Sequence, residues 1–170
     1  MIERVYAKQY FVSICLFLVI SCSSEQPADP ICRIDDRHFD THSGNAGCVI
    51  RLQNRLMSIT HRLSGKYDIP GGTSASQETA QCTAHRETWQ ETGFNVEVGE
   101  LLGEKDNGFR FYQCTLSGNF TGEISQFPVP DWSQSEVTAI QLVDPFATPA
   151  KQWRYPDELI LLRDMFNKVD

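Results

Sequence analysis

PGGTSASQETAQCTAHRETWQETGF, residues 70–94, is the stretch of this chain that decides its fold. Pro70 is followed by two glycines, which is typical of a tight loop. From Gln77 to Thr92 there is no glycine or proline, and the residues follow the period of a helix. Gly93 then stands where the end of a helix favours glycine. The stretch therefore predicts a glycine-rich loop followed by one helix.

Two glutamates lie one turn apart in this predicted helix. Glu87 and Glu91 are four residues apart, so their carboxylates lie on the same face. Like charges at this spacing repel each other unless a cation lies between them. Hard oxygen ligands beside a glycine-rich loop suit Mg²⁺ or Mn²⁺, and Gly71 and Gly72 have no side chain to exclude an ion from the backbone. The pattern indicates a divalent cation site that would also bridge the phosphates of a substrate.

The same stretch resembles the Nudix box, G-x5-E-x7-R-E-U-x-E-E-x-G-U, in which U is an aliphatic residue. Pro70-Gly71 matches the usual lead-in of that family, and six charged or glycine positions agree. These positions are Gly72, Glu78, Arg86, Glu87, Glu91 and Gly93. At about one in fifteen per position, this agreement is expected by chance on the order of 10⁻⁵ times per chain. Residues 72–94 are called the box below.

The resemblance implies a reaction and a role for each box residue. Members of this family hydrolyse a diphosphate linkage in a nucleoside diphosphate joined to another group (NDP-X), with Mg²⁺ or Mn²⁺ bound. The implied metal ligands are the side chains of Glu87, Gln90 and Glu91 and the backbone carbonyl of Gly71. Structural roles are implied for Gly72, Glu78, Arg86 and Gly93, and we expect Glu78 to pair with Arg86. The general base would be Glu87 or Glu136, which directly precedes a predicted strand.

Two box residues depart from the family pattern. Thr88 replaces an aliphatic residue, and Gln90 replaces the first of two adjacent glutamates. A glutamine offers a carbonyl oxygen but no charge, so we expect at least one metal ion to bind more weakly. The alternative to an enzyme is a non-catalytic Nudix-fold lipoprotein that binds a phosphorylated ligand or a protein partner.

Signals for strands and helices alternate outside the box. Residues 47–61 predict a hairpin that turns at Gln53-Asn54. The other predicted elements are strands at 67–69, 94–102, 109–116 and 137–143 and an amphipathic helix from Pro156 to about Lys168. This order predicts one domain of the α+β or α/β class. The resemblance implies the α/β/α sandwich with a mixed β-sheet that is typical of Nudix proteins.

Length and charge limit the partners of the chain. It has 170 residues, the length of one ordinary domain, and a formal net charge of −7. This acidity disfavours nucleic acid as a partner, because no broad basic face is available to neutralise its phosphates. Divalent cations can screen a small phosphate compound from an acidic protein. We therefore expect a small-molecule diphosphate substrate and no nucleic acid.

The first residues predict a targeting signal. Basic residues precede an apolar run, Phe11–Ile20, that is too short for a transmembrane helix and has the length of the apolar part of a signal peptide. The next residues complete Val19-Ile20-Ser21-Cys22, which resembles a bacterial lipobox and implies a lipid on Cys22. Ser23 differs from the aspartate that retains proteobacterial lipoproteins at the inner membrane. We expect a lipid anchor in the bacterial envelope that faces the periplasm, at the outer membrane rather than the inner.

These predictions divide the chain into three parts. Residues 1–21 would be the signal peptide, 22–46 a tether and N-terminal arm, and 47–170 the Nudix domain. Four cysteines remain for an oxidising compartment: Cys32, Cys48, Cys82 and Cys114. No two of them have the C-x-x-C spacing, and four cysteines allow three pairings. We expect one or two disulfides and leave the pairing open.

Two further segments permit both a functional and a structural interpretation. Residues 35–42, DDRHFDTH, include the residue types of a metal site. They precede the first strand and are rich in loop formers, so a solvated arm is favoured. Trp153-Arg154-Tyr155 has residue types that stack on a base and hold a phosphate, but packing over the core is slightly favoured.

Overall fold

The computed structural model describes residues 25–118 and 120–169. The predicted signal peptide and Cys22 lie outside the described residues. Within these residues, no helix is long and apolar enough to cross a membrane.

The described residues form nine strands and two α-helices. The strands are β1 (Ala46–Val49), β2 (Arg51–Leu52), β3 (Arg55–His61), β4 (Lys66–Asp68), β5 (Gly71–Gly72), β6 (Glu97–Glu104), β7 (Arg110–Thr115), β8 (Gln126–Phe127) and β9 (Val137–Val143). The helices are α1 (Ala80–Thr92) and α2 (Leu159–Lys168). Short 3-10 turns occur at Asp36–His38, Asp131–Ser133, Ala150–Gln152 and Pro156–Glu158. Of the described strands, the sequence patterns did not predict β5 and β8.

The strands form two sheets between the two helices. One sheet has the order β5-β1-β7-β6, in which only β1 and β7 are parallel, and the other has the antiparallel order β2-β3-β9-β8 with β4 beside β3. Along β1, Cys48 packs in the apolar cluster that includes α1, whereas the next residue, Val49, packs in the cluster that includes α2. Consecutive side chains of a strand point to opposite faces, so each helix covers a different face. The predicted sandwich with mixed strands is confirmed.

Helix α1 has a clear beginning and end. Thr79 caps its N-terminus, because the Thr79 hydroxyl accepts a hydrogen bond from the backbone N–H of Cys82 at 3.3 Å. Gly93 ends the helix with φ of 75°, a left-handed conformation that favours glycine. Gln77 has a φ of 64° and lies outside the helix. The helix therefore starts at Ala80, three residues later than its pattern predicted, and ends where the pattern predicted.

The predicted hairpin over residues 47–61 is wrong in its first arm. β1 pairs with β5 and β7 of the first sheet, and only the two residues of β2 pair with β3. The turn at Gln53 and Asn54 is confirmed, with φ values of 52° and 60° that match a two-residue hairpin turn. Every residue of β1 is buried, as is typical of a strand covered on both faces. Such a run shows no alternation that would indicate its partner strand.

The four cysteines form two disulfides in different surroundings. Cys48 of β1 bonds to Cys114 of β7 inside the apolar core. Cys32 of the N-terminal arm bonds to Cys82 of α1, and both residues are partly exposed. The first bond joins two neighbouring strands, whereas the second attaches the arm to the helix of the box.

Candidate active site

Glu91 is the most deeply placed carboxylate of the box. It lies on the buried face of α1, and its Oε2 accepts a hydrogen bond from the N–H of Gly71 at 2.8 Å. Burial raises the pKa of Glu91 well above its usual value, and the charges of Glu87, Asp68 and Glu136 raise it further. One backbone hydrogen bond does not compensate for this burial. Glu91 therefore lies where a positive charge would be strongly favoured.

Glu87 lies directly against the glycine-rich strand. A β-carbon on Gly72 would lie 2.5 Å from the carboxyl carbon of Glu87, so a larger residue at position 72 would displace this carboxylate. Burial raises the pKa of Glu87, although a 2.8 Å hydrogen bond from Arg86 Nη1 acts in the opposite direction. Gly71 is constrained from the other side, because a β-carbon there would lie 2.5 Å from the Cα of Gly47 in β1. The two glycines thus allow strand β5 to fit between β1 and the carboxylates.

Arg86 holds the box together with all five of its N–H groups. Its Nε and Nη2 donate to Glu78 at 2.9 Å each, which is the predicted structural pair. Its Nη1 donates to Glu87 at 2.8 Å and to Gln90 Oε1 at 3.1 Å, and its Nη2 also donates to the carbonyl of Thr73 at 2.9 Å. The guanidinium therefore connects the loop before α1 to two side chains on the helix.

Thr88 and Gln90, the two residues that depart from the family pattern, both have hydrogen-bond partners in the structure. Thr88 is fully buried, and its hydroxyl donates to the carbonyl of Ala84 at 2.7 Å, so no polar atom is left unpaired. The amide of Gln90 has partners on both sides. Its Oε1 accepts from Arg86, and its Nε2 donates to the two carboxylate oxygens of Asp29 at 3.1 and 3.0 Å. In this arrangement the amide would have to turn before Gln90 could ligate an ion.

A cavity of about 300 Å³ adjoins the glycine-rich strand. Its wall includes Gly71 and Gly72 and several aromatic and charged side chains. Among them are Tyr67, Asp68, Phe109, Trp153, Arg154 and Tyr155. The ring centroids of Tyr67 and Trp153 are 5.7 Å apart, and Trp153 is only 2% exposed. Trp153 therefore packs into the core and also lines the cavity.

Comparison with known proteins identifies the family. Residues 41–162 match the NUDIX domain. The chain belongs to the Nudix family. Over 112 residues it is 34% identical to a MutT-like protein of Streptomyces ambofaciens, which covers 58% of this chain and 73% of that protein. Family membership confirms the enzyme class predicted from the box, a Nudix-type pyrophosphohydrolase.

Solved structures of this Nudix fold resemble the chain at low identity. An ADP-ribose pyrophosphatase from Streptococcus suis superimposes with a TM-score of 0.57 at 15% identity, covering 72% of this chain and 88% of that one. A UDP-X diphosphatase superimposes with a TM-score of 0.55 at 16% identity, covering 76% of this chain and 64% of that one. At these identities the likeness is one of fold.

The donors of this Nudix box fit a divalent cation. Mg²⁺ is usually held by one or two carboxylates and completes its shell with water and phosphate oxygens. Burial raises the pKa of both Glu87 and Glu91, and the charge of Glu136 raises both further. The charge of Glu87 also raises the pKa of Glu91, and a cation would relieve this repulsion. Between residues 25 and 169, leaving out 119, no three His, Cys, Asp or Glu side chains form a ready metal cluster. The fit thus rests on the two box carboxylates and the nearby backbone of Gly71.

Three further carboxylates lie near the Nudix box, and only one of them, Glu136, was predicted from the sequence. Glu136 is exposed just before β9, and its charge raises the pKa of both Glu87 and Glu91, so it lies within electrostatic reach of them. Asp68 was missed, although it ends β4 two residues before Pro70. Burial raises the pKa of Asp68, and Arg154 Nη1, 3.2 Å away, opposes that shift. Asp29 was also missed, because nothing in its local sequence connects it to a glutamine 61 residues away.

Proposed function

We propose that this Nudix pyrophosphohydrolase cleaves the diphosphate linkage of NDP-X substrates with Mg²⁺ or Mn²⁺, on the periplasmic side of the bacterial envelope. The observation that carries the proposal is the position of Glu87 and Glu91 against Gly71 and Gly72, because the same glycine strand also borders the cavity. A substrate in the cavity would extend its diphosphate towards the two carboxylates.

The proposed roles follow from the contacts of each side chain. Glu87, Glu91 and the carbonyl of Gly71 would hold the ion, which when bound neutralises phosphate charge and lowers the pKa of water. Arg86 positions Glu87 through its 2.8 Å hydrogen bond. Glu87 or Glu136 would accept the proton of the attacking water.

The cavity lining supports a nucleoside as the group bound beside the diphosphate. Aromatic side chains from β4 and from the segment before α2 line it, and such rings stack on flat bases. Its volume of about 300 Å³ lies at the lower end of small-molecule pockets. Two proteins of similar fold are named for ADP-ribose and for UDP-X. Both names describe a nucleoside diphosphate joined to another group.

A substrate panel tests the proposal. The purified chain is incubated with ADP-ribose, UDP-sugars, dinucleoside polyphosphates and nucleoside triphosphates across a titration of Mg²⁺ and Mn²⁺, and the products are separated by chromatography. We expect the nucleoside monophosphate and the phosphorylated X group from NDP-X. Turnover of nucleoside triphosphates alone would contradict the NDP-X assignment, and binding without any turnover would favour the non-catalytic lipoprotein.

The proposed location is tested at Cys22. We expect the protein expressed from its full gene to fractionate with outer membranes and to incorporate labelled fatty acid, because Val19-Ile20-Ser21-Cys22 resembles a lipobox. Cys22→Ala should abolish the label, whereas Cys15→Ala, within the apolar run, should keep it. Label that persists in Cys22→Ala would contradict the lipid anchor.

A further inference from the structure

The N-terminal arm reaches the box at the one position where the box lacks a family carboxylate. Both carboxylate oxygens of Asp29 accept hydrogen bonds from Gln90 Nε2, at 3.1 and 3.0 Å. The other side of the same amide accepts from Arg86, which in turn donates to Glu87. A continuous chain of hydrogen bonds therefore runs from Asp29 through Gln90 and Arg86 to Glu87.

The arm is attached on the C-terminal side of Asp29 by covalent and polar contacts. Cys32, three residues later, forms the disulfide with Cys82, which lies two turns before Gln90 on α1. The Arg33 side chain donates to the carbonyl of Asn95 at 3.0 Å, and the Arg33 carbonyl accepts from the N–H of Val98 at 2.9 Å. The disulfide thus limits how far Asp29 can move away from the helix.

A glutamine suits position 90 because its side chain can accept a hydrogen bond on one side and donate one on the other. Its carbonyl oxygen accepts from the Arg86 guanidinium, and its NH₂ group donates to the Asp29 carboxylate. A glutamate would satisfy Arg86 but would repel Asp29, since an ionised carboxylate is an acceptor only. Gln90, which replaces a glutamate of the family pattern, is therefore the residue that allows the arm carboxylate to bind here.

We propose that Asp29 supplies from the N-terminal arm the negative charge that Gln90 lacks, and that the Cys32–Cys82 disulfide holds it there. The charge then lies one hydrogen bond, about 3.0 Å, further from the box than a glutamate at position 90 would place it. Asp29 is a positioning residue in this arrangement, because it acts on the metal site through Gln90 and Arg86. The inference rests on the proposed metal-dependent function of the same box.

The first test measures Mn²⁺ binding without substrate, by electron paramagnetic resonance of the oxidised full chain. Asp29 is exposed, so water screens its charge, and its removal in Asp29→Asn should weaken binding of the divalent ion by about threefold to tenfold. Asp36→Asn is the matched control, because Asp36 lies in the same arm and the described residues give its carboxylate no hydrogen-bond donor. Equal Mn²⁺ affinity in wild type, Asp29→Asn and Asp36→Asn would overturn the proposal.

The second test moves the charge back to the helix. Adding Gln90→Glu to Asp29→Asn reverses the order of carboxylate and amide, and the new asparagine can donate to the new glutamate. We expect this double variant to bind Mn²⁺ at least as tightly as wild type. Failure of Gln90→Glu to recover the affinity lost in Asp29→Asn would show that charge at this point does not affect the ion, and would overturn the proposal.

The third test removes the covalent attachment. Cys32→Ser with Cys82→Ser should weaken Mn²⁺ binding as much as Asp29→Asn does, and adding Asp29→Asn should cause no further loss. Wild-type affinity in the two-serine variant would overturn the role of the disulfide. Because these tests need no turnover, the effect of Asp29→Asn would stand even if no NDP-X were hydrolysed. Hydrolysis of NDP-X with unchanged Mn²⁺ binding in Asp29→Asn would refute the inference alone.

Discussion

The N-terminal arm and the box both contain closely spaced carboxylates, but their surroundings are opposite. In the arm, hydrogen bonds from the Arg37 side chain and backbone lower the pKa of Asp35 to about 2. The pKa of Asp40 is also lowered, because Asp40 accepts from the backbone of His42 and from the hydroxyl of Tyr112. In the box, burial raises the pKa of Glu91. Hydrogen bonds from the protein thus compensate the charges of Asp35 and Asp40, whereas among the described residues the buried Glu91 has one backbone donor and several like charges nearby.

The difference separates residues that stabilise the fold from residues that serve its chemistry. A carboxylate with donors on several sides contributes to stability through those contacts. A buried carboxylate with one donor and like charges nearby costs stability unless another positive charge binds. An uncompensated group of this kind in a Nudix box is therefore expected to matter more for activity than for folding.

The largest expected effect is the loss of activity in Glu91→Gln. Loss of a charged ligand or base commonly lowers turnover by about 10²-fold or more, which is about 2.7 kcal/mol of barrier. The helix should remain intact, because glutamate and glutamine have similar helix propensities. Steady-state kinetics on the best substrate of the panel measure this, with exposed Glu123→Gln as the control. Turnover like that of wild type would show that Glu91 is not a ligand of the catalytic metal ion.

Asp40→Asn should lower stability and leave activity nearly unchanged, which is the opposite of Glu91→Gln. It removes the charge that pairs with Arg110 Nη1 at 2.5 Å while keeping an acceptor for His42. We expect the free energy of unfolding to fall by about 1–2 kcal/mol, with kcat/KM within about threefold of wild type. Urea denaturation with Asp36→Asn as the control checks the stability. A large loss of activity without a loss of stability would contradict the assignment of Asp40 to the fold and not to the chemistry.

Divalent cations should stabilise the wild type but not Glu91→Gln. At a concentration three times its Kd, an ion that binds only the native state adds about 0.8 kcal/mol. For a domain of this size that raises Tm by about 2 °C. Thermal unfolding with Mg²⁺, with Ca²⁺ and with EDTA measures the effect. An equal shift in wild type and Glu91→Gln would place the stabilising ion elsewhere in the molecule.

The smallest expected effect is on how the free energy of unfolding depends on pH, and it has opposite signs for Glu91 of the box and Asp40 of the arm. The pKa of Glu91 is raised in the native state, so the metal-free native state binds more protons than the unfolded state. Glu91 therefore costs stability as the pH rises above the usual pKa of a glutamate. Metal-free Glu91→Gln should therefore become more stable than wild type as the pH rises above the usual pKa of a glutamate. Asp40 has a lowered pKa, so its stabilisation is present above its unfolded pKa and is lost in acid. Asp40→Asn should be less stable than wild type near neutrality, and the two should converge in acid; both trends are read from urea denaturation.

Features that depend only on residues close together in the chain could be predicted from the sequence. Helix α1 could be predicted because its cap at Gly93 and its uninterrupted run lie within a few residues of each other. Glu87 and Glu91 share a face for the same reason. The first arm of the predicted hairpin was wrong because the partner of β1 is β7, about sixty residues away along the chain. A fully buried strand has no polar face to indicate that partner.

By itself, the sequence determined the family, the helix that carries Glu87 and Glu91, and the glycines beside it, because the spacing of the box encodes contacts within one loop and one helix. Only the tertiary structure decided which cysteines pair, that Asp68 and Trp153 line the cavity beside Gly72, and that Asp29 meets Gln90. Each of these contacts joins segments far apart in the chain. Their meeting depends on how strands and helices pack, which no local spacing of residues records.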